Sequence, residues 1–481
     1  MKSFLSSLAL SLLVLATIPA AMSESDSHNY AVVVSKQTFG DASWRQVVDR
    51  LVKQHQATVI AFETNVADAL PELRRQYPRY VCFVAQPTEA GRLFVRQIHR
   101  LTRQFNDDPY PDCFWGIITG YDAASALRIA ECTQPLTIHK TASATEVALE
   151  MCESGVWYSE LQKNHAVRKE PGKDALEFKG PDDTTKALAD LLTGYQADLF
   201  ITSGHASERN WQIGYAFRNG TFRCEHGQLY GLDTSGQRHP IRSDHPKVYL
   251  PIGNCLMGHI DGPDAMAIAY MNSAGVKQML GYTIPTAYGY AGWGCLDYFV
   301  EQPGRYTFTE AFFANQIALV NRLATYFPTS ENAEVDDRGT SSTAPVPTPA
   351  AKAAGLTAAD GRWLLSDRDT VAFYGDPAWE ARMAKLETAW DQTLTEKDGL
   401  WTFEIKPNRG AKTFDPINQN GSQRGGRPIV QFLPRRVKST HVLTGADLNP
   451  LITDNFILIP NPGKYQPGKE YRVVFGATRP D

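Results

Sequence analysis

Leu199-Phe200-Ile201-Thr202-Ser203, followed at once by Gly204-His205-Ala206-Ser207, and Val248-Tyr249-Leu250-Pro251-Ile252, followed by Gly253-Asn254-Cys255-Leu256-Met257-Gly258, decide how this chain is read. Each is a short apolar run closed by glycine, the pattern of a buried strand. In an open parallel sheet, ligands bind in the crevice beyond the carboxyl ends of the strands. A histidine just past one strand and a cysteine just past its neighbour would meet there. Thiol nucleophilic catalysis needs that pairing.

Upstream, Tyr30–Val34, Thr58–Phe62, Tyr80–Val84 and Phe114–Ile118 read as buried strands. Between them Trp44, Val47, Val48 and Leu51, then Leu93, Val95, Ile98 and Leu101, recur at helical spacing, and Asp122 caps a further helix. Strands alternating with helices imply βαβ units and a mainly parallel sheet, so residues 28–142 form one α/β sub-domain. The two organising strands belong to a second, spanning 143–385. In it, Asp182-Asp183-Thr184-Thr185 opens a helix, Val276–Tyr282 is a strand, Thr307–Tyr326 is an amphipathic helix and Val371–Tyr374 is a last strand. The polar stretch Arg209–His245 reads as a flap inserted beside the cleft, with Asn219-Gly220 as its hairpin turn. Residues 328–358, rich in Thr, Ser, Ala and Pro, read as a flexible loop. From 389 to 481 the pattern turns to strands separated by Gly, Pro and Asn, which implies an all-β sandwich of immunoglobulin-like size.

The 481 residues carry 48 basic and 52 acidic side chains, and the net charge of −4 gives no reason to expect nucleic acid. Residues 1–23 read as an export signal cleaved near Ser23: Lys2, an apolar run from Phe4 to Ile18, then Ala21-Met22-Ser23. That run is short for a membrane span, and no other stretch is long enough. The mature chain is expected to be secreted, periplasmic or at the cell surface. With Cys255 set aside, six cysteines remain, enough for up to three bridges in fifteen pairings. Cys82, inside an apolar strand, reads as a buried free thiol. No zinc-ligand or acidic calcium-loop spacing occurs and no cofactor is required, although calcium held by backbone carbonyls would leave no trace in a sequence.

In this reading Cys255 is the nucleophile and His205 its base. The backbone N–H groups of Cys255 and of Ala206 are the candidate oxyanion donors, and a helix following Cys255 would add its dipole. An apolar block ending in His, then one ending in Cys, resembles the caspase-like cysteine peptidases of the gingipain, caspase and legumain group, and the gingipain family most closely. Ser203-Gly204-His205, Gly253-Asn254-Cys255, Gly281-Tyr282-Thr283 and Tyr374-Gly375-Asp376-Pro377 carry that resemblance. It implies a two-part caspase-like α/β domain, an immunoglobulin-like domain after it, an export signal and peptidase activity. The chain departs from the family in having Ala206 where Gly follows the His, in a 50-residue interval from His205 to Cys255, and in showing no long pro-segment. Gly204, Asn254 and Trp293 are the candidates for lining a substrate pocket. Asp261 and Asp264 read as first-turn helix acids or pocket carboxylates, and Glu208 as a loop acid near His205. The expected function is an exported cysteine endopeptidase acting on protein or peptide. A transpeptidase or ligase on the same dyad, or a non-catalytic binding protein, is the alternative.

Overall fold

The computed structural model describes residues 29–341, 343–418 and 423–480; the export signal expected at 1–23 lies outside the described residues. Tyr30–Ser35 (β1) is buried along its whole length. A strand apolar at both parities needs cover on both faces, and helices supply it. Lys36–Gly40 (α1) and Ala42–His55 (α2) follow, with Asp41 capping α2 and Trp44, Val47, Val48 and Leu51 facing the core. Thr58–Phe62 (β2), Leu70–Gln76 (α3), Tyr80–Val84 (β3), Arg92–Leu101 (α4), Phe114–Ile118 (β4) and Ala123–Ala130 (α5) complete this half. Asp122 is the α5 cap, accepting from Ser125 N–H at 2.8 Å.

The short Leu136–Ile138 (β5) precedes Lys140–Ser143 (β6), Ser154–Tyr158 (β7), His165–Lys169 (β8) and Leu176–Lys179 (β9). Sequence patterning passed over these four strands, since Lys140-Thr141-Ala142-Ser143 holds one apolar residue and β9 is largely exposed. The expected boundary at 142/143 therefore falls inside a strand. Thr185–Leu192 (α6) leads to Leu199–Thr202 (β10).

The flap is a four-stranded antiparallel sheet: Asn210–Gln212 (β11), Thr221–Glu225 (β12), Gln228–Leu232 (β13) and Arg238–Ile241 (β14). Its tight turn is His226-Gly227, both at positive φ (49° and 67°), and not Asn219-Gly220 as expected. Asn219 is used instead to dock the flap, accepting from Thr184 N–H at the start of α6.

Lys247–Pro251 (β15), Met266–Ser273 (α7), Val276–Tyr282 (β16), Tyr290–Phe299 (α8), Phe308–Tyr326 (α9), Pro349–Ala353 (α10), Ala358–Thr370 (α11), Val371–Tyr374 (β17) and Ala381–Met383 (β18) finish the α/β body. Much of 328–341 and 343–358, expected as a loose loop, is packed. Val335, Ala351 and Leu356 are buried with Leu319, Phe327 and Leu364, and Arg96 of α4 donates to Val335 O at 2.8 Å.

One sheet of twelve strands runs through both halves, in the order β2-β1-β3-β4-β17-β16-β15-β10-β6-β7-β8-β9. The strands of each half are mainly parallel, but the halves meet antiparallel, Met279 facing Tyr374 and Tyr282 facing Val371. The carboxyl ends of β1–β4 thus lie at the edge opposite to those of β10, β15 and β16.

The remaining strands are Trp390–Lys397 (β19), Leu400–Pro407 (β20), Ile429–Phe432 (β21), Lys438–Thr444 (β22), Leu451–Ile452 (β23), Phe456–Ile459 (β24) and Tyr471–Thr478 (β25). They form two antiparallel sheets, β19-β20-β25-β22 and β21-β24-β23, the expected sandwich. Phe456-Ile457-Leu458-Ile459 is apolar at every position because both faces of its sheet are covered. Ile457 and Ile459 enter the sandwich core, while Phe456 and Leu458 join the α/β core, with Phe456 5.1 Å from Tyr110. Among the described residues no helix is long and apolar enough to cross a membrane.

Candidate active site

Strands β10 and β15 pair in parallel, Leu199 facing Val248 and Thr202 facing Pro251. Beyond Thr202 the chain turns through Gly204, at φ 91°, a conformation that costs glycine least. Beyond Pro251 it passes Gly253, where an added Cβ would lie 3.3 Å from Ser203 Oγ. His205 and Cys255 therefore leave the same sheet edge from neighbouring strands. The loop after β16, next in the sheet, reaches the same place.

Asn254 is fully buried. Its Oδ1 accepts from Thr202 Oγ1 at 2.7 Å and its Nδ2 donates to Gly204 O at 3.1 Å. The thiol of Cys255 is half-buried; it accepts from Thr286 N–H and lies against Thr286 O, both at 3.3 Å. His205 is exposed, its ring 5.0 Å from that of Tyr215 on the flap. Among the described residues the thiol and the imidazole are not hydrogen-bonded to each other.

The bridge between Ala206 and Trp211 is built from His205 O, which accepts from Gln212 N–H, and Ser207 N–H, which donates to Asn210 O. Among the described residues neither the Ala206 N–H nor the Cys255 N–H has an acceptor. Leu256, directly after the thiol, sits at φ 58°, a position that costs a non-glycine residue of order 1 kcal/mol.

Several expectations are corrected. The helix after Cys255 begins only at Met266, so its N-terminus does not adjoin the thiol. Asp261 and Asp264 both precede α7, so neither is a first-turn acid, and Asp261 pairs instead with Arg209. Glu208 contributes its carbonyl, which accepts from Met266 N–H at 2.9 Å. Trp293 lies inside α8 at 5% exposure with the Arg424 guanidinium over its ring, so the ring is covered instead of walling an open pocket. Asn254, likewise expected at a pocket, faces the interior. Gly204 contributes its carbonyl, which accepts from Asn254 Nδ2.

Glu160, just past β7, was not legible from sequence. It is buried, Oε1 accepts from Thr145 Oγ1 at 2.7 Å, the Ser203 hydroxyl also favours the carboxylate, and Oε2 is inaccessible. A Cβ on Gly204 would lie 3.4 Å from that oxygen. Burial pushes the carboxyl up to about 7. Its backbone carbonyl also holds the flap, accepting from Tyr215 and Ala216 N–H. A lone acid 45 residues from His205 carries no local signal. Among the described residues no cluster of three His, Cys, Asp or Glu is arranged to hold a metal ion, and all seven cysteines are free thiols.

No protein-family model and no curated protein matches the sequence. Among solved structures the chain is similar to the crystal structure of the Arg-specific cysteine proteinase gingipain R, at 12% identity and a TM-score of 0.46, over 92% of this chain and 93% of that one.

Proposed function

We propose that this chain is an exported, gingipain-like cysteine endopeptidase in which Cys255 attacks the scissile carbonyl and His205 moves the protons. The observation that carries this reading is the parallel β10–β15 pair, which brings a histidine and a cysteine out at one sheet edge beside two backbone N–H groups that have no acceptor among the described residues. His205 removes the thiol proton as sulfur bonds to the carbonyl carbon. The oxyanion accepts from the N–H groups of Ala206 and Cys255. Collapse of the tetrahedral intermediate breaks the C–N bond, and the imidazolium gives its proton to the departing amine, leaving a thioester on Cys255. Water, deprotonated by His205, then attacks the thioester; the acid product leaves and the thiol is restored. For this the imidazole must turn from Tyr215 toward the thiol, and the thiol must exchange its Thr286 contacts for substrate.

Iodoacetamide labelling of the mature protein, mapped by mass spectrometry, tests the reading. Labelling concentrated at Cys255 and slowed about tenfold or more in His205→Ala supports it, since the thiolate is the reactive form. Peptide hydrolysis should fall by at least about 100-fold in Cys255→Ala and in His205→Ala. Labelling of Cys255 at the rate of an ordinary thiol, indifferent to His205, overturns it.

A further inference from the structure

We infer that Asn254 is a positioning residue which, through a single buried amide, sets the placement of the His205 loop against the Cys255 loop; the inference rests on reading those two residues as the reacting pair. Asn254 immediately precedes Cys255, and its side chain reaches the two residues flanking Ser203 in the neighbouring loop, Thr202 and Gly204. Gly204 in turn immediately precedes His205. One side chain therefore spans from the peptide before the thiol to the peptide before the imidazole.

The orientation of the amide follows from its partners. Gly204 O can only accept, so the NH₂ end must face it and the oxygen must face Thr202. The single hydroxyl proton of Thr202 then goes to Asn254 Oδ1, so Tyr249, 2.9 Å from Thr202 Oγ1, must donate to Thr202. The result is a directed chain from Tyr249 through Thr202 and Asn254 to Gly204, in which no proton is free to reverse. Tyr249 is itself held by stacking on Tyr270, with ring centroids 4.0 Å apart. The chain is anchored in the sheet at one end and at the His205 loop at the other. Because Asn254 is fully buried, it has no surface to offer a substrate. Aspartate fits the same space but sets a second oxygen against Gly204 O, so Asn254→Asp removes the tie while keeping the volume. Alanine removes both bonds.

Crosslinking separates this role from catalysis. In the His205→Cys variant, a short bifunctional thiol reagent should join positions 205 and 255, identified as a linked peptide pair by mass spectrometry. Adding Asn254→Asp or Asn254→Ala should lower that yield several-fold while far-ultraviolet circular dichroism and thermal unfolding confirm a folded chain. On the native dyad, Asn254→Asp should lower kcat by about 10- to 100-fold with KM within about twofold, since misplacement by an ångström costs on that order. Cys255 labelling in Asn254→Asp should no longer respond to His205→Ala. An unchanged crosslink yield in either Asn254 variant, or no crosslink with Asn254 intact, overturns the inference. If the crosslink depends on Asn254 but labelling of the otherwise native chain ignores His205, positioning stands and the peptidase reading falls.

Discussion

Arg209 and Asp261 lie side by side, Nη1 to Oδ1 at 2.8 Å and Nη2 to Oδ2 at 2.9 Å, tying the stretch after His205 to the stretch after Cys255. The pair is bidentate but its side chains are 43% and 35% exposed, so water and salt weaken it. Arg209→Ala should cost less than about 1 kcal/mol of global stability, measured by urea denaturation. Burial raises the Asp261 carboxyl, but the Arg209 hydrogen bond and charge outweigh it and hold the group below its ordinary value. A depressed carboxylate stabilises above the unfolded range, and that contribution is lost as pH falls through the folded value. The gap between wild type and Arg209→Ala should therefore close on acidification. A gap independent of pH would contradict the pairing.

Glu160 carries the opposite sign. With its carboxyl pushed up to about 7, the folded chain holds a proton that the unfolded chain releases near 4.5, so stability falls as pH rises between those values. Glu160→Gln removes that slope. It should be near neutral below pH 4.5 and stabilising above pH 7, by up to about 3 kcal/mol. Paired denaturation series at pH 4.5 and 8 measure this, and equal differences at both would refute the burial argument.

Arg424, beyond the α/β body, lies over Trp293 and pairs with Asp297 at 2.8 Å and with Glu301, all on or beside α8 and all nearly inaccessible. Without Arg424, Asp297 keeps Arg427 at 3.0 Å, but Glu301 is left buried without its cation. Arg424→Met should cost about 3–5 kcal/mol. Chemical denaturation followed by tryptophan fluorescence checks it, and a loss under about 1 kcal/mol would mean that solvent reaches the cluster.

Gly281 of β16 and Gly258, three residues past Cys255, touch backbone to backbone. A Cβ on Gly281 would lie 2.6 Å from Gly258 N, and one on Gly258 would lie 2.1 Å from Gly281 O. Neither contact can relax through a side chain. Gly281→Ala and Gly258→Ala should each cost about 1–3 kcal/mol or more, with the loss seen as a lowered thermal midpoint. A midpoint unchanged in both variants would show that this segment does not pack on the sheet as described.

Much of the fold was legible because burial leaves a periodic mark. Strands β1–β4, β10, β15 and β16 are apolar runs closed by turn residues, and Asp122 announces its helix by local capping chemistry. Strands β6–β9 left little mark because β6 holds one apolar residue, β7 opens on Ser154-Gly155, β8 is flanked by His165 and Arg168-Lys169, and β9 is largely exposed. The Asn-Gly turn misled because Asn219 spends its side chain on α6, a partner 35 residues away.

From the sequence alone come the α/β body, the sandwich, and a histidine and a cysteine each placed just past a strand. These depend on short-range alternation, which the chain carries in itself. That the two strands are neighbours, that the halves of the sheet meet antiparallel, that Trp293 is covered, and that Asn254 reaches Thr202 and Gly204 were decided by tertiary structure. The physical reason is range: a hydrogen bond such as that between Asn254 and Thr202 joins residues 52 positions apart, and its distance and direction exist only once the sheet has closed.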